Sequence, residues 1–315
     1  MNPHAHTSSL PPEGAGPPRG GSSAVTMQTK KRIAVVIGAG SVKCAAGIGL
    51  AKVLAREGIA IDLLVGASGG SMFAAVMAQG LPHEETTELV SQLWTRDLTS
   101  QRDNRAMLSA LLPRMFGFDE KFGMKSDALV MQRLQAVFGN SRIEGTKTQL
   151  LITATDFHTG EQVVFSRGKL TDAIRASISI PFIFKPWTFD GRTYIDGFMS
   201  DPLPVGPAVR EGADIIIAMG FDSPMQENIS SPTRFAFQLS SIMNNNLQRA
   251  RFAFHNAAHH GEVIAIVPEF EQRVRLFDTA KIPYIIEEGE RATEAILPQL
   301  HRMLAQGERS LAAVA

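Results

Sequence analysis

Two short apolar runs, each ending close to a glycine and each followed by a stretch with helical spacing, set the fold class of this chain. The first, Ile33 to Ile37 (IAVVI), is rich in β-branched residues and stops at Gly38. Apolar residues at consecutive positions are what a strand buried on both faces of a parallel sheet presents. Ala45 to Glu57 follows, with Ile48, Leu50, Val53 and Leu54 at helical spacing and Gly58 placed as a C-cap. Ile59 to Val65 (IAIDLLV) reads as a second strand and Gly69 to Gln79 as a second helix. A chain that opens β-α-β-α through tight glycine turns belongs to the α/β class with a mostly parallel central sheet.

The same patterns continue downstream. His83 to Trp94 and Lys125 to Phe138 carry helical spacing, with Ser126 as a candidate cap for the second. Gln149 to Thr155, Gln162 to Phe165, Thr193 to Ile195, Asp214 to Met219 and Glu262 to Val267 read as strands. Leu170 to Ser177, Pro204 to Glu211, Pro232 to His260 and Glu287 to Leu304 read as helices. No internal repeat or linker interrupts this stretch, so one domain over 29–310 is expected. Residues 1–28 are rich in Pro, Gly and Ser and are expected to be a disordered tail, with Met27 a candidate start. That tail lacks the apolar core of about 7–15 residues that a secretory signal needs.

Charge and cysteine content narrow the function classes. Lys+Arg and Asp+Glu both number 31, so the net charge is zero. That balance argues against a nucleic-acid partner held by a broad basic surface. The one cysteine, Cys44, permits no intrachain disulfide and fits a reducing, cytoplasmic setting. It lies at a helix start, where a thiol pKa can be lowered, although a small packing residue is the simpler reading. No apolar run reaches the roughly 18 residues of a membrane-spanning helix.

Between the second strand and the second helix lies Gly66-Ala67-Ser68-Gly69-Gly70, a Gly-x-Ser-x-Gly pattern in strand-turn-helix context. A sharp turn there pushes the Ser68 hydroxyl out at the carboxyl end of the strand, facing the free N–H groups and dipole of a helix start. Side chains at Gly66 and Gly70 are expected to collide across the turn. The pattern alone also fits a plain glycine turn. A nucleophilic serine needs a base, and no histidine stands in a persuasive context. His4 and His6 fall in the tail, His83 opens a helix and His158 sits in a turn. His255, His259 and His260, late on a long helix, read as solvated. A carboxylate can take the proton directly if it meets the serine in a dry pocket. Asp196, at the end of a short strand and followed by Gly197, is the candidate; on local grounds Asp-Gly more often marks a turn.

Three blocks in order resemble the patatin-like phospholipases, chiefly their bacterial members. Ile37 to Gly49 (IGAGSVKCAAGIG) looks like the family's oxyanion loop running into its helix, and Gly66 to Gly70 like its nucleophile elbow. The third block runs from Ala154-Thr155-Asp156 through Ala176-Ser177-Ile178-Ser179-Ile180-Pro181-Phe182 to Tyr194-Ile195-Asp196-Gly197. The resemblance spans roughly residues 31–305. It implies a three-layer α/β/α sandwich, Ser68 as nucleophile and Asp196 as the base of a Ser-Asp dyad. It also implies an oxyanion hole from the backbone of Gly40, Ser41, Val42 and Lys43. The loop departs from the family's Gly-Gly-Gly-x-Arg-Gly: Lys43 keeps the positive charge without the planar fork of Arg, and Ser41 replaces a glycine. If position 41 requires positive φ, serine costs about 1–2 kcal/mol there.

The expected function is therefore hydrolysis of lipid acyl esters through an acyl-enzyme, with no metal and no cofactor. Expected partners are a lipid or acyl-ester substrate and a membrane surface touched peripherally from the cytoplasmic side. Met107 to Met124, with Leu108, Leu111, Leu112, Met115, Phe116, Phe118 and Phe122, is a candidate lid or interfacial patch; core packing is its commoner meaning. Two other readings compete. A catalytically weak or inactive member of the family would serve as a lipid-binding or regulatory module, and the altered loop is what supports it. A dinucleotide fingerprint begins at Gly38-x-Gly40, but its third glycine would fall on Lys43.

Overall fold

Every residue of the first strand is buried, and successive side chains join opposite faces of one sheet. Ile33, Val35 and Ile37 join a large apolar cluster on one side, and Ala34 and Val36 a smaller one on the other. The computed structural model describes residues 30–312 except 100–102, 105–107, 110, 111, 118, 121, 224, 227 and 259–261. The expected tail, with His4, His6 and Met27, lies outside the described residues, as do His259 and His260.

The strands are β1 (Ile33–Ile37), β2 (Leu63–Ala67), β3 (Gln149–Asp156), β4 (Gln162–Phe165), β5 (Trp187–Phe189), β6 (Arg192–Ile195), β7 (Ile215–Met219) and β8 (Glu262–Ile266). They form one sheet in the order β5-β6-β3-β2-β1-β7-β8, with β4 also paired to β3. From β3 to β8 neighbouring strands are parallel; β4 and β6 run antiparallel to β3, and β5 antiparallel to β6. The larger cluster is covered by α1 (Ala46–Arg56), α2 (Gly69–Met77), α3 (His83–Leu93), α4 (Ala128–Phe138) and α5 (Leu170–Ser177). On the other face α6 (Val205–Arg210) contributes Val205 and Ala208. Two long helices follow, α7 (Pro232–Ala258) and α8 (Ile282–Ala312). This is the α/β class that the opening of the sequence implies, with helices on both sides of the sheet as the resemblance implies. Among the described residues, no helix is long and apolar enough to cross a membrane.

Several boundaries differ from the sequence expectation. Strand β2 begins at Leu63 rather than Ile59, because residues 58–59 are still closing α1: Ile59 N–H donates to Leu54 O at 2.8 Å and Gly58 N–H to Ala55 O at 3.1 Å. It then extends through Gly66 and Ala67, which pair with Ile152 and Thr153. Helix α8 begins at Ile282, five residues earlier than expected. Pro283 falls in its first turn, where a missing N–H costs no helical bond. At α4, Asp127 rather than Ser126 holds the N-cap position.

Candidate active site

Strand β2 delivers the elbow. Ser68 follows Ala67 directly, caps α2, and has φ 53° and ψ −129°, a conformation costing a non-glycine residue about 1–3 kcal/mol. Its surroundings hold it there: Ser68 N–H donates to Ser177 Oγ at 2.8 Å, and Ser68 O accepts from Ser71 N–H at 3.0 Å and Ser71 Oγ at 2.7 Å. The two flanking glycines are required, for partly different reasons than expected. A Cβ on Gly66 would stand 2.6 Å from Gly70 O and 2.5 Å from Ser71 Cα, across the turn. A Cβ on Gly70 would instead strike β1, 2.2 Å from Ile37 O.

Strand β3 is the ruler that sets the acid against the serine. Ala67 of β2 pairs with Thr153, and Ile195 of β6 pairs with Thr155 two residues further along the same edge of β3, because β4 occupies the other edge at both positions. Because β6 runs antiparallel, the residue after Ile195 steps back toward the level of Ser68. Asp196 Oδ2 accepts from Ser68 Oγ at 2.8 Å. The carboxylate is fixed by Phe198 N–H on Oδ1 at 3.0 Å, and its backbone by Asp196 N–H to Ser179 O at 3.1 Å and Thr155 Oγ1 to Asp196 O at 2.9 Å. Gly197 has no room for a side chain, since a Cβ there would stand 2.5 Å from Thr153 O.

Asp196 is fully buried and Ser68 is 6% exposed. Burial pushes the Asp196 carboxyl up to about 7, against the downward pull of the Phe198 N–H, the Ser68 hydroxyl and the charge of Arg175. Asp196 is thus divided between acid and base near neutrality, as an efficient proton acceptor should be. Cys44 is different. Burial and the nearby Asp196 raise its thiol pKa rather than lower it, and Sγ donates to Gly38 O at 3.3 Å, so it is a packing residue.

Several residues that support this pair carried no assigned role in the sequence reading. Arg175 is fully buried, donating to Ser179 Oγ at 2.6 Å, Asp127 Oδ1 at 2.7 Å and Lys185 O at 3.0 Å. Its guanidinium also lies over the rings of Phe184 and Trp187. It therefore fixes Ser179, whose carbonyl holds the Asp196 backbone. Ser177, Ser179 and Thr155 all fall inside the third family-like block, so the motif signalled them without saying what they do.

In the loop after β1, Ser41 has φ 55°, so the strained backbone conformation considered at this position is present. The hydroxyl compensates by tying the loop down: Ser41 Oγ donates to Leu276 O and accepts from Trp94 Nε1 at 2.8 Å. Residues 41–45 form a 3₁₀ turn whose first bond runs from Lys43 N–H to Gly40 O at 3.1 Å. The amides ahead of it fall outside that turn's own ladder. Gly40 and Ser41 line the cavity over Ser68, whereas Val42 is buried away from it and the Lys43 amide is engaged. The Lys43 ammonium also lines the cavity, donating to Asp222 O at 3.1 Å and lying over the Phe270 ring; burial lowers its pKa.

That cavity holds about 330 Å³. Ile180, Ile183 and Phe198 come from the β6 side of Ser68, and Ser223, Ser241 and Asn244 from the β7 side, Ser241 and Asn244 lying on α7. No described residue of the candidate lid 107–124 lines it, and Leu108, Leu112 and Met115 are exposed. Met107, Leu111 and Phe118 lie outside the described residues. No described histidine lines it either. His255, expected to be solvated, is buried.

Several known proteins are similar to this chain. The family profile described as Patatin-like phospholipase matches residues 35–209, more than half of the 315. An uncharacterized NTE family protein of Mycobacterium tuberculosis is 31% identical over 191 residues, 61% of this chain and 49% of that protein. The chain thus matches about half the length of that relative. Patatin-like phospholipase domain-containing protein 7 of Mus musculus is 25% identical over 210 residues, 65% of this chain and 15% of the relative. Among solved structures, VipD from Legionella pneumophila aligns with a TM-score of 0.47 at 13% identity, covering 88% of this chain and 67% of that one. With the profile running from β1 through the elbow and Asp196 into α6, this chain belongs to the patatin-like phospholipase family.

Proposed function

We propose that this chain is a lipid acyl hydrolase whose domain spans 29–310, with Ser68 as nucleophile and Asp196 as its base. The observation that carries the reading is the buried 2.8 Å hydrogen bond from Ser68 Oγ to Asp196 Oδ2 at the floor of the cavity.

In the first step Ser68 Oγ attacks the carbonyl carbon of an acyl ester while its proton passes to Asp196 Oδ2. Negative charge collects on the former carbonyl oxygen, and the backbone N–H groups of Gly40 and Ser41, at the start of the 3₁₀ turn, stabilise it. Collapse of this intermediate breaks the ester C–O bond, and the leaving alcohol takes the proton from Asp196. Water then attacks the acyl-Ser68 ester, giving a proton to Asp196, and release of the fatty acid returns that proton to Ser68 Oγ. The sequence needs neither metal nor cofactor. The apolar wall from Ile180, Ile183 and Phe198 suits an acyl chain, and a lipid substrate met at a membrane surface accords with the family.

The test is hydrolysis of acyl esters of increasing chain length by wild type and Ser68→Ala. The variant should lose about 10³-fold or more in kcat, with retained folding shown by thermal melting. A variant as fast as wild type would refute the assignment.

A further inference from the structure

Helix α7 is amphipathic in the reverse of the usual sense for a helix packed on a globular protein. Its inward side carries Ser241, Asn244, Asn245 and Gln248, spaced i, i+3, i+4 and i+7, and all four are buried. Its outward side carries Phe235, Leu239, Ile242 and Met243, spaced i, i+4, i+7 and i+8, and these are 53, 45, 38 and 70% exposed. Asn246, Ala250, Ala253 and Phe254 continue the outward stripe, all exposed. The segment just ahead extends it: Met225 and Ile229 are also exposed, and Gln226 N–H donates to Gln238 Oε1 at 2.7 Å, fastening that segment to the helix. Contiguous exposed rows of Phe, Leu, Ile and Met are uncommon on soluble monomers and mark interaction surfaces.

Charge says what the stripe meets. The 27 residues of α7 include Arg234, Arg249 and Arg251 and no Asp or Glu. All three are exposed, and Arg249, seven residues after Ile242, lies beside the stripe. In a chain of net charge zero, this is a local cationic helix with a wide apolar face. Such helices lie in the headgroup region of bilayers that carry negative charge. We infer that α7 is a membrane-docking element whose outer face binds an anionic lipid surface. It lies on the bilayer rather than spanning it. The inner face of the same helix, through Phe237, Ser240, Ser241 and Asn244, walls the Ser68 cavity, so docking brings that wall to the lipid surface. This last point rests on the hydrolase reading; the docking itself does not.

Flotation of the full chain with vesicles tests it, using phosphatidylglycerol vesicles against phosphatidylcholine vesicles. Wild type should partition onto the anionic vesicles in preference, and added salt should weaken the binding. Leu239→Glu combined with Met243→Glu should lower the partition coefficient by at least about tenfold. Arg249→Gln should lower it about fivefold. All variants should melt as wild type does and hydrolyse a monomeric short-chain ester at the wild-type rate. Equal binding by the double glutamate variant, or no preference for the anionic vesicles, would overturn the proposal. So would a wild-type dimer that this variant splits, because the stripe would then join two copies of the chain. If Ser68→Ala left hydrolysis intact, the hydrolase reading would fall and the flotation result would stand.

Discussion

Ser68 and Asp196 meet at 2.8 Å beside one edge of β3, although 128 positions separate them in the chain. The sheet makes this meeting. One strand delivers the serine parallel to β3, another delivers the acid antiparallel to it, and the two registers bring both side chains to the same level. The polar atoms around Asp196 come from neighbouring backbone and from Thr155 and Ser179, so the carboxylate is oriented without any histidine.

The first prediction concerns pH. Burial holds the Asp196 carboxyl at about 7, and only its ionised form can take the Ser68 proton. For a soluble ester, kcat/KM should therefore fall about tenfold per unit as pH drops below about 7 and level off above it. A pH-rate profile checks this, and a profile flat down to pH 5 would contradict it.

The same burial makes Asp196 a cost to folding. Its folded pKa of about 7 lies above the roughly 3.9 of an unfolded aspartate, so the folded state holds the proton more tightly. The resulting stabilisation is full below about pH 4 and is lost as pH rises through about 7. Asp196→Asn keeps an acceptor for the Phe198 N–H, turns the Ser68 bond round so that the amide donates to Ser68 Oγ, and removes the charge. At pH 8 it should be inactive yet more stable than wild type by an amount on the order of a few kcal/mol, with the gap closing toward pH 4. Urea unfolding at the two pH values measures it.

Ser41 should separate backbone strain from anchoring. Ser41→Ala keeps the strained φ and loses the hydroxyl that bonds Leu276 O and Trp94 Nε1, for a stability loss of about 1 kcal/mol. Ser41→Gly loses the same anchor and relieves about 1–2 kcal/mol of strain. Both should lower kcat with little change in KM, since a loosened loop aims its N–H groups poorly. The glycine variant should melt higher than the alanine variant.

The sequence makes the centre of the fold legible and leaves its walls obscure. Strands β1 and β7 declare themselves because both faces are buried and every position is apolar. The elbow is legible because glycine is forced at 66 and 70 by backbone contacts within 3 Å. Asp196 is not legible locally; only the resemblance separates it from an Asp-Gly turn, because its meaning comes from β6 pairing with β3 just beyond the end of β2. Arg175 escapes because a charged residue in a helix reads as solvent-facing, whereas here Asp127, from another helix start, receives it. The anchoring of Ser41 by Leu276 and Trp94 joins segments 235 and 53 residues away, a distance that no local pattern encodes. Strand β5, three residues at the sheet edge, is too short to announce itself.

The most direct measurement is the site of covalent labelling by a fluorophosphonate, read by mass spectrometry of the intact chain and its peptides. An activated Ser68 should carry one adduct, absent in Ser68→Ala and formed much more slowly in Asp196→Asn. An unlabelled Ser68 in the folded wild type, or labelling that persists undiminished in Ser68→Ala, would contradict the account and leave a lipid-binding module without catalysis.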